Sequence, residues 1–380
     1  MQKLNITLLL RRSPLLRGFI RMGLTDALLN AHSGSNDPAY WRQVQSTGVI
    51  ERPNYLWFDP TIRCNLGCRF CHQSSRRRSA THELDKAAIS RLFAQSAACG
   101  IRAVDLIGGE IFLRSDIFDI LDAVQRCGLR VKLGSNGTLI DASVADRLTR
   151  YDCIESITVS VDGPEAIHDG LRGVPGTYEK AVRGLRFLVK KNFVAAVCAI
   201  LTPQGTSVID FLMELAHNLG IDRLAFIAEM FYSNADIDAS GKMLDAHEPQ
   251  PFFVEVKEGV DSAAYAETMA AYVNRIKEQR ARRGVFTVIL PRIAAEFPRE
   301  FFSGRLRESL KLMCKPMSVL NVMENGDVRI CPFINITCGN IVNDSIEHIW
   351  NNERMRSLRK TILSSNLLPI CSRCCGADYI

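Results

Sequence analysis

Residues 56–228 alternate short apolar runs with amphipathic stretches, and that alternation leaves few architectures open. The runs at 56–62, 103–107, 129–133, 154–161, 193–201 and 223–228 have strand length. Between them, residues 86–99, 116–127, 141–151, 177–191 and 207–219 carry apolar side chains at helical spacing. Asp116, Asp141 and Thr177 stand where N-caps belong, and Gly100, Gly128 and Gly220 where helices stop. Six strands alternating with five helices predict repeated βα units around a parallel sheet, an α/β fold. In barrels made of such units the working residues lie at the C-terminal ends of the strands.

The first run leads into Cys64-Asn-Leu-Gly-Cys68-Arg-Phe-Cys71. Three thiols this close let one loop wrap one metal centre. A [4Fe–4S] cluster takes four Cys ligands. Three local ones leave one iron open, and an open coordination position is where a substrate or cofactor binds. A structural zinc knuckle or three unrelated thiols are the plain alternatives. Zinc asks for a fourth Cys or His nearby, and the adjacent His72 is poorly placed to share an ion with Cys71.

This Cys-x3-Cys-x2-Cys loop after a first strand, with Phe70 before the last Cys, resembles the radical S-adenosylmethionine (SAM) enzymes. The resemblance implies a partial (β/α)6 TIM-like barrel and a [4Fe–4S] cluster held by Cys64, Cys68 and Cys71. SAM would bind the open iron, accept one electron and yield a 5′-deoxyadenosyl radical that takes a hydrogen atom from an unactivated C–H bond. The cofactor carries that chemistry, and the protein supplies binding and exclusion of water. Gly108-Gly109-Glu110 follows the second strand, where the family holds the SAM amino group; Ile111 replaces the family's usual Pro. Glycines there would let the backbone approach the ligand closely. Ser135-Asn136-Gly137 ends the third strand near the expected SAM cleft, although Asn-Gly is also a common turn pair. The run Ser160-Val-Asp162-Gly163 with His168-Asp169 and Arg172 resembles a segment of the SPASM branch. It implies that Ser160 and Asp162 lie near the SAM ribose and carboxylate. Arg172 would meet an anion of SAM or substrate, or only pair with Asp169. Ile200 on the fifth strand would touch the adenine.

A second metal pattern closes the chain: Cys314-x11-Gly326-x4-Cys331, a Gly339-Asn340-Ile341 turn, a helix around 345–350, and Cys371-x2-Cys374. The turn at Asn325-Gly326-Asp327 permits a hairpin that brings Cys314 and Cys331 together. This arrangement resembles the SPASM/twitch iron–sulfur domain in its one-cluster form, and implies one auxiliary [4Fe–4S] cluster on Cys314, Cys331, Cys371 and Cys374. A zinc ribbon uses a similar set of thiolates. Cys338 and Cys375 are left over nearby, and either is a candidate hydrogen-atom donor to a substrate radical or a substitute ligand. Glu229, just after the sixth strand, is a candidate general base or salt-bridge partner. Cys99, Cys127, Cys153 and Cys198 fall in helices and strands and read as core.

The expected organisation is an N-terminal extension at 1–55, the radical SAM barrel at 56–228, a bridging segment at 229–310 and the SPASM/twitch domain at 311–380. Net charge is +6, only mildly basic, and no nucleic-acid-binding motif appears. Thirteen cysteines would suit disulfides in a secreted chain, but no cleavable signal precedes them. A reducing cytoplasm and metal-bound thiolates fit better. Leu15, Leu16, Phe19 and Leu24 interleave with Arg12, Arg17 and Arg21, so an amphipathic helix could touch a membrane surface or pack on its own domain. Arg76-Arg77-Arg78 reads as a solvated loop or a contact for an acidic electron donor.

The expected function is oxidation, dehydrogenation or epimerisation of a small biosynthetic molecule. It would be fed by a one-electron donor such as flavodoxin or ferredoxin. Only some 55 residues precede the first strand, modestly against a leader-guided peptide substrate, so a ribosomal-peptide maturase is the alternative within the branch. A non-catalytic iron–sulfur or zinc-binding interaction protein is the alternative outside it.

Overall fold

The structure, a computed structural model, describes residues 37–74, 82–246, 251–306 and 310–379. The amphipathic stretch at 8–30 and the Arg76–Arg78 run lie outside the described residues. Helix α1 (Pro38–Thr47) is followed by strands β1 (Tyr55–Phe58), β2 (Ala103–Leu106), β3 (Arg130–Ser135), β4 (Ile154–Ser160), β5 (Ala195–Leu201) and β6 (Arg223–Ala228). Helices α2 (Lys86–Ala98), α3 (Ile117–Arg126), α4 (Ala142–Leu148), α5 (Glu165–Arg172), α6 (Thr177–Lys190) and α7 (Ser207–Leu219) fill the crossovers. Each strand pairs in parallel with the next, giving the α/β partial barrel.

Alternation along the strands decides which side chains meet the helices. Leu56, Phe58, Val104, Leu106 and Val131 are fully buried on the outer face. Trp57, Asp105, Lys132 and Ser156 are cross-strand partners on the opposite face, toward the barrel interior. Helix α3 answers with a stripe of Ile117, Ile120, Leu121 and Val124.

Some local expectations change. Strand β1 stops at Phe58 rather than residue 62. Asp59 and Pro60 follow, and proline lacks the N–H that would continue the ladder. Asp141 caps α4 by accepting from Val144 N, but the Asp116 carboxylate is taken by Arg114 at 2.8 Å and caps nothing. Thr177 is the first residue of α6, not its cap. Asp169, from the preceding helix, accepts instead from Gly176 N, Tyr178 N and Thr177 Oγ1. Helix α5 carries the His168–Arg172 part of the motif run; it starts after Pro164 and ends at Gly173, whose φ of +74° suits glycine.

The sheet does not end at six strands. After the short pair β7 (Phe231–Tyr232) and β8 (Glu255–Val256) and the long helix Ser262–Arg283, β9 (Thr287–Leu290) joins β6 in parallel. At the other edge β11 (Val319–Val322) joins β1 in parallel, followed by antiparallel β12 (Asp327–Arg329) and β13 (Thr337–Asn340). Gly339 and Asn340 therefore end a strand, and the turn follows at once over 341–343, where Asn343 N donates to Asn340 O at 3.1 Å. Strands β10 (Leu312–Cys314) and β14 (Ala377–Tyr379) form their own antiparallel pair.

Segments 48–50 and 350–359 meet on this side. Arg359 is fully buried, donates to Gly48 O at 3.1 Å and to Asn351 Oδ1 at 2.9 Å, and lies 4.2 Å from the Trp350 ring centroid. Trp350 Nε1 donates to Ile50 O at 2.8 Å. Helix α1 buries Trp41 and Val44. The C-terminal segment is thus joined to the barrel by a strand pairing and by buried hydrogen bonds.

Candidate cofactor and metal sites

The Cys64–Cys71 loop leaves the C-terminal end of β1 and is held from three sides. Glu83 accepts from Thr61 Oγ1 and from both Arg63 Nε and Nη2 at 2.9 Å. Buried Arg114 donates to Pro60 O at 2.7 Å and Leu84 O at 3.1 Å. From the other side, Gly67 N and Arg69 N donate to Arg172 O and Leu171 O at the end of α5, at 3.0 and 3.1 Å. From β2, Gly109 N and Glu110 N donate to Thr61 O and Arg63 O, each at 2.8 Å. A Cβ on Gly108 would collide with Thr61 O, and one on Gly109 with Arg63 O. The close approach these glycines permit is therefore to the Cys-loop backbone, not only to a ligand.

Cys64, Cys68 and Cys71 are half-buried and form no disulfide. Burial pushes the Cys68 thiol up, the Arg172 charge opposes that, and Cys71 and Cys64 add to the rise as neighbouring thiolates. Metal coordination resolves this conflict by taking thiolates directly.

Glu110 is fully buried beside the loop. It accepts from Ser135 Oγ at 2.9 Å, Asn136 N at 2.7 Å and Phe112 N at 3.2 Å. Burial raises its pKa to about 6, and these hydrogen bonds oppose the rise. Asn136 Nδ2 reaches Asn65 Oδ1 at 2.9 Å and Cys64 Sγ at 3.8 Å. Ser135 and Asn136 therefore connect β3 to the carboxylate and to the metal loop.

The β4 segment is arranged differently from its expected role. Asp162 is buried, and its carboxylate accepts from Arg172 Nε at 2.6 Å, Arg172 Nη2 at 3.0 Å and Ile200 N at 3.0 Å. It anchors an arginine and the β5 backbone. Arg172 pairs with Asp162 and not with Asp169, which caps α6. Its Nη1 points at Cys68 Sγ, 3.7 Å away. Ser160 and Ile200 are half-buried near the strand ends, and Ser160 is paired across the sheet with Cys198.

Cys314, Cys331, Cys371 and Cys374 line one cavity of about 70 Å3, together with Cys375, Tyr55, Trp57 and Phe333. The hairpin between β11 and β12, turning at Gly326 with φ of +89°, returns the chain toward Cys331. Burial is the main cause that pushes the Cys314 and Cys331 thiols well up. The donor set, all thiols in an otherwise apolar wall, suits an iron–sulfur cluster.

Residues that flank the two thiol sites touch. His72, next to Cys71, packs edge-on against Phe333 with centroids 4.9 Å apart. Trp57 lines the auxiliary cavity and donates to Asp59 Oδ1 at 2.9 Å, and Gln73 Nε2 donates to Asp59 Oδ2 at 3.0 Å. Tyr55 and Trp57 escaped the sequence reading, although with Asp59 they recur at the two-residue period of a strand face. Tyr232 was also missed; it is buried within the electrostatic reach of Cys374, Cys371, Cys375 and Cys331.

Two of the candidate catalytic residues, Cys338 and Glu229, sit in buried surroundings. Cys338 is buried on β13, with Sγ 3.9 Å from Ile336 O, and lies outside the thiol cavity. Burial pushes its thiol to about 11. Glu229 is buried and ion-paired to Lys257 Nζ at 2.7 Å, with Tyr265 OH donating at 3.4 Å. Of the two readings of this position, the ion pair is the arrangement present. Cys375 stays in place on the cavity wall.

The radical SAM superfamily profile matches residues 59–210, and the SPASM profile, described as an iron–sulfur cluster-binding domain, matches 314–375. Together they span more than half the chain. This chain belongs to the radical SAM superfamily, in its SPASM-bearing branch, and is an enzyme of that family with a SAM-bound [4Fe–4S] cluster and an auxiliary cluster. It is similar to the AdoMet-dependent heme synthase of Methanosarcina barkeri, 27% identical over 321 residues, covering 82% of this chain and 86% of that protein. The Fe-coproporphyrin III synthase of the same organism is 26% identical over 202 residues, 53% of this chain and 49% of that one. Among solved structures, Streptococcus suis SuiB bound to its precursor peptide SuiA shares the fold, with a TM-score of 0.63 at 17% identity over 91% of this chain and 79% of that one. Among the described residues, no helix is long and apolar enough to cross a membrane.

Proposed function

We propose that this enzyme oxidises a small biosynthetic molecule by hydrogen-atom abstraction, with the auxiliary cluster taking the second electron. The observation that carries this reading is the ring contact of His72, next to Cys71, with Phe333 on the wall of the second thiol site, which Trp57 also lines. Cys64, Cys68 and Cys71 hold the first cluster, and Cys314, Cys331, Cys371 and Cys374 the second. When bound, the first cluster and SAM supply one-electron cleavage and hydrogen-atom abstraction. The protein's own part is positional. Glu110 receives the SAM ammonium, Asn136 orients the loop at Cys64, and Ser160 and Ile200 line the cleft for the nucleoside. Cys375 stands where a thiol would meet a substrate radical if the outcome were epimerisation instead. A one-electron donor such as flavodoxin or ferredoxin supplies the reducing electron.

Iron porphyrins are the first substrate class to test, because the heme synthase similarity runs over most of both chains. The experiment incubates reconstituted, reduced protein with SAM and Fe-coproporphyrin III, and follows 5′-deoxyadenosine and the mass of the porphyrin. A porphyrin of altered mass formed in step with 5′-deoxyadenosine supports the reading. Turnover only with a peptide substrate would replace it with a peptide maturase.

SAM binding should depend on pH through Glu110. Its carboxyl has a raised pKa of about 6 in the ligand-free protein, and only the ionised form pairs with an ammonium group. Affinity for SAM should therefore weaken as pH falls through about 6 and hold above it. Glu110→Gln should bind weakly at every pH. A wild-type binding isotherm that does not change between pH 5 and 7.5 would remove Glu110 from this role.

A further inference from the structure

We propose that Arg172 sets the reduction potential of the SAM-binding cluster through its contact with Cys68, an inference that rests on the assignment of Cys64, Cys68 and Cys71 as ligands. Arg172 is buried, at 8% exposed. One face of its fork is held by the Asp162 carboxylate at 2.6 and 3.0 Å, and Asp162 is itself held by Ile200 N. That leaves Nη1 directed at Cys68 Sγ, 3.7 Å away, with the Phe70 ring 5.1 Å from the guanidinium carbon. The backbone repeats the link: Arg172 O accepts from Gly67 N, and a side chain at Gly173 would run into Gly67 O at 2.7 Å. The end of α5 and the Cys loop therefore keep one separation, and the cation cannot swing away to water.

Hydrogen bonds to cluster sulfurs and the local net charge are main determinants of iron–sulfur potentials. A reduced cluster carries one more negative charge than an oxidised one. A fixed cation with an N–H aimed at a ligand sulfur stabilises the reduced form more, and so raises the potential. Arginine suits this position because its planar fork serves the carboxylate and the sulfur together. A lysine ammonium is a point charge that cannot span both with the same geometry. Asp162 offsets part of the charge but stands on the far side of the guanidinium from Cys68. Arg172 is thus a positioning and tuning residue.

The test is a redox titration of the reconstituted holoenzyme, followed by the part of the EPR signal that SAM perturbs. Arg172→Gln should load iron, shift the midpoint of that signal to more negative potential, and leave the SAM-insensitive auxiliary signal where it was. Arg172→Lys should fall between Gln and wild type. A loaded Arg172→Gln protein titrating at the wild-type potential overturns the proposal and makes Arg172 a structural clamp. If the Gln variant holds no iron, the Lys variant decides: a negative shift supports the role and an unchanged midpoint removes it. Wild-type protein with no SAM-perturbed cluster signal would overturn the ligand assignment first, and the proposal with it.

Discussion

Alanine at Cys64, Cys68 and Cys71 together should abolish 5′-deoxyadenosine formation, to the level of protein-free controls, while the fold persists. The loop's supports are independent of a metal: Glu83 and Arg114 clamp its start, Gly109 and Glu110 bind its backbone, and α5 holds Gly67 and Arg69. Iron should fall from about eight to about four per chain, the content of one remaining cubane. Far-UV circular dichroism should be unchanged. Persisting SAM cleavage in the triple variant would mean that the open iron lies elsewhere.

Serine at Cys371 and Cys374 should give the complementary result. These thiols share a cavity with Cys314 and Cys331 and stand apart from the Cys64 loop. Removing two of four ligands should empty that site, and iron should again fall to about four per chain. SAM cleavage should survive, because Glu110, Ser135, Asn136 and the first three thiols are untouched. Product formation should vanish if the auxiliary cluster takes the substrate electron. Product forming at the wild-type ratio to 5′-deoxyadenosine, with the auxiliary iron gone, would assign that cluster a structural role only. One feature would complicate the measurement: Cys375 lies on the same wall and can take up a vacant iron. Adding Cys375→Ser to the pair closes that route.

Neither result needs a substrate to be known in advance for its iron readout, and both separate cofactor loading from turnover. The Arg172 titration adds a third, independent reading at the same loop. A variant there should keep both clusters and change the energy at which one of them accepts an electron.

Much of this arrangement was legible in the chain before any coordinates. The six barrel strands and five of the helices stand where periodicity placed them, because burial on one face imposes a period that side chains must obey. The spacing of Cys64, Cys68 and Cys71 confines three thiols to one loop whatever the fold. The order Gly108-Gly109-Glu110 after β2 likewise puts a carboxylate at a strand end. These are local properties, set by residues a few positions apart.

Contacts between distant segments were not legible. Asp162 and Arg172 are ten residues apart, yet their pairing depends on α5, and the Arg172–Cys68 contact spans 104 residues. The roles of Cys338 and Glu229 turned on burial and on Lys257, which no spacing encodes. The parallel pairing of β1 with β11, and the meeting of His72 with Phe333, join segments more than 250 residues apart. By itself the sequence determined the class of fold, the kinds of cofactor and the loops that bear their ligands, since local pattern and ligand chemistry act over a few residues. Only tertiary structure decided which charges face the Cys loop, which thiols share a cavity and that residues flanking the two centres touch, because those follow from packing between elements that chain proximity does not connect.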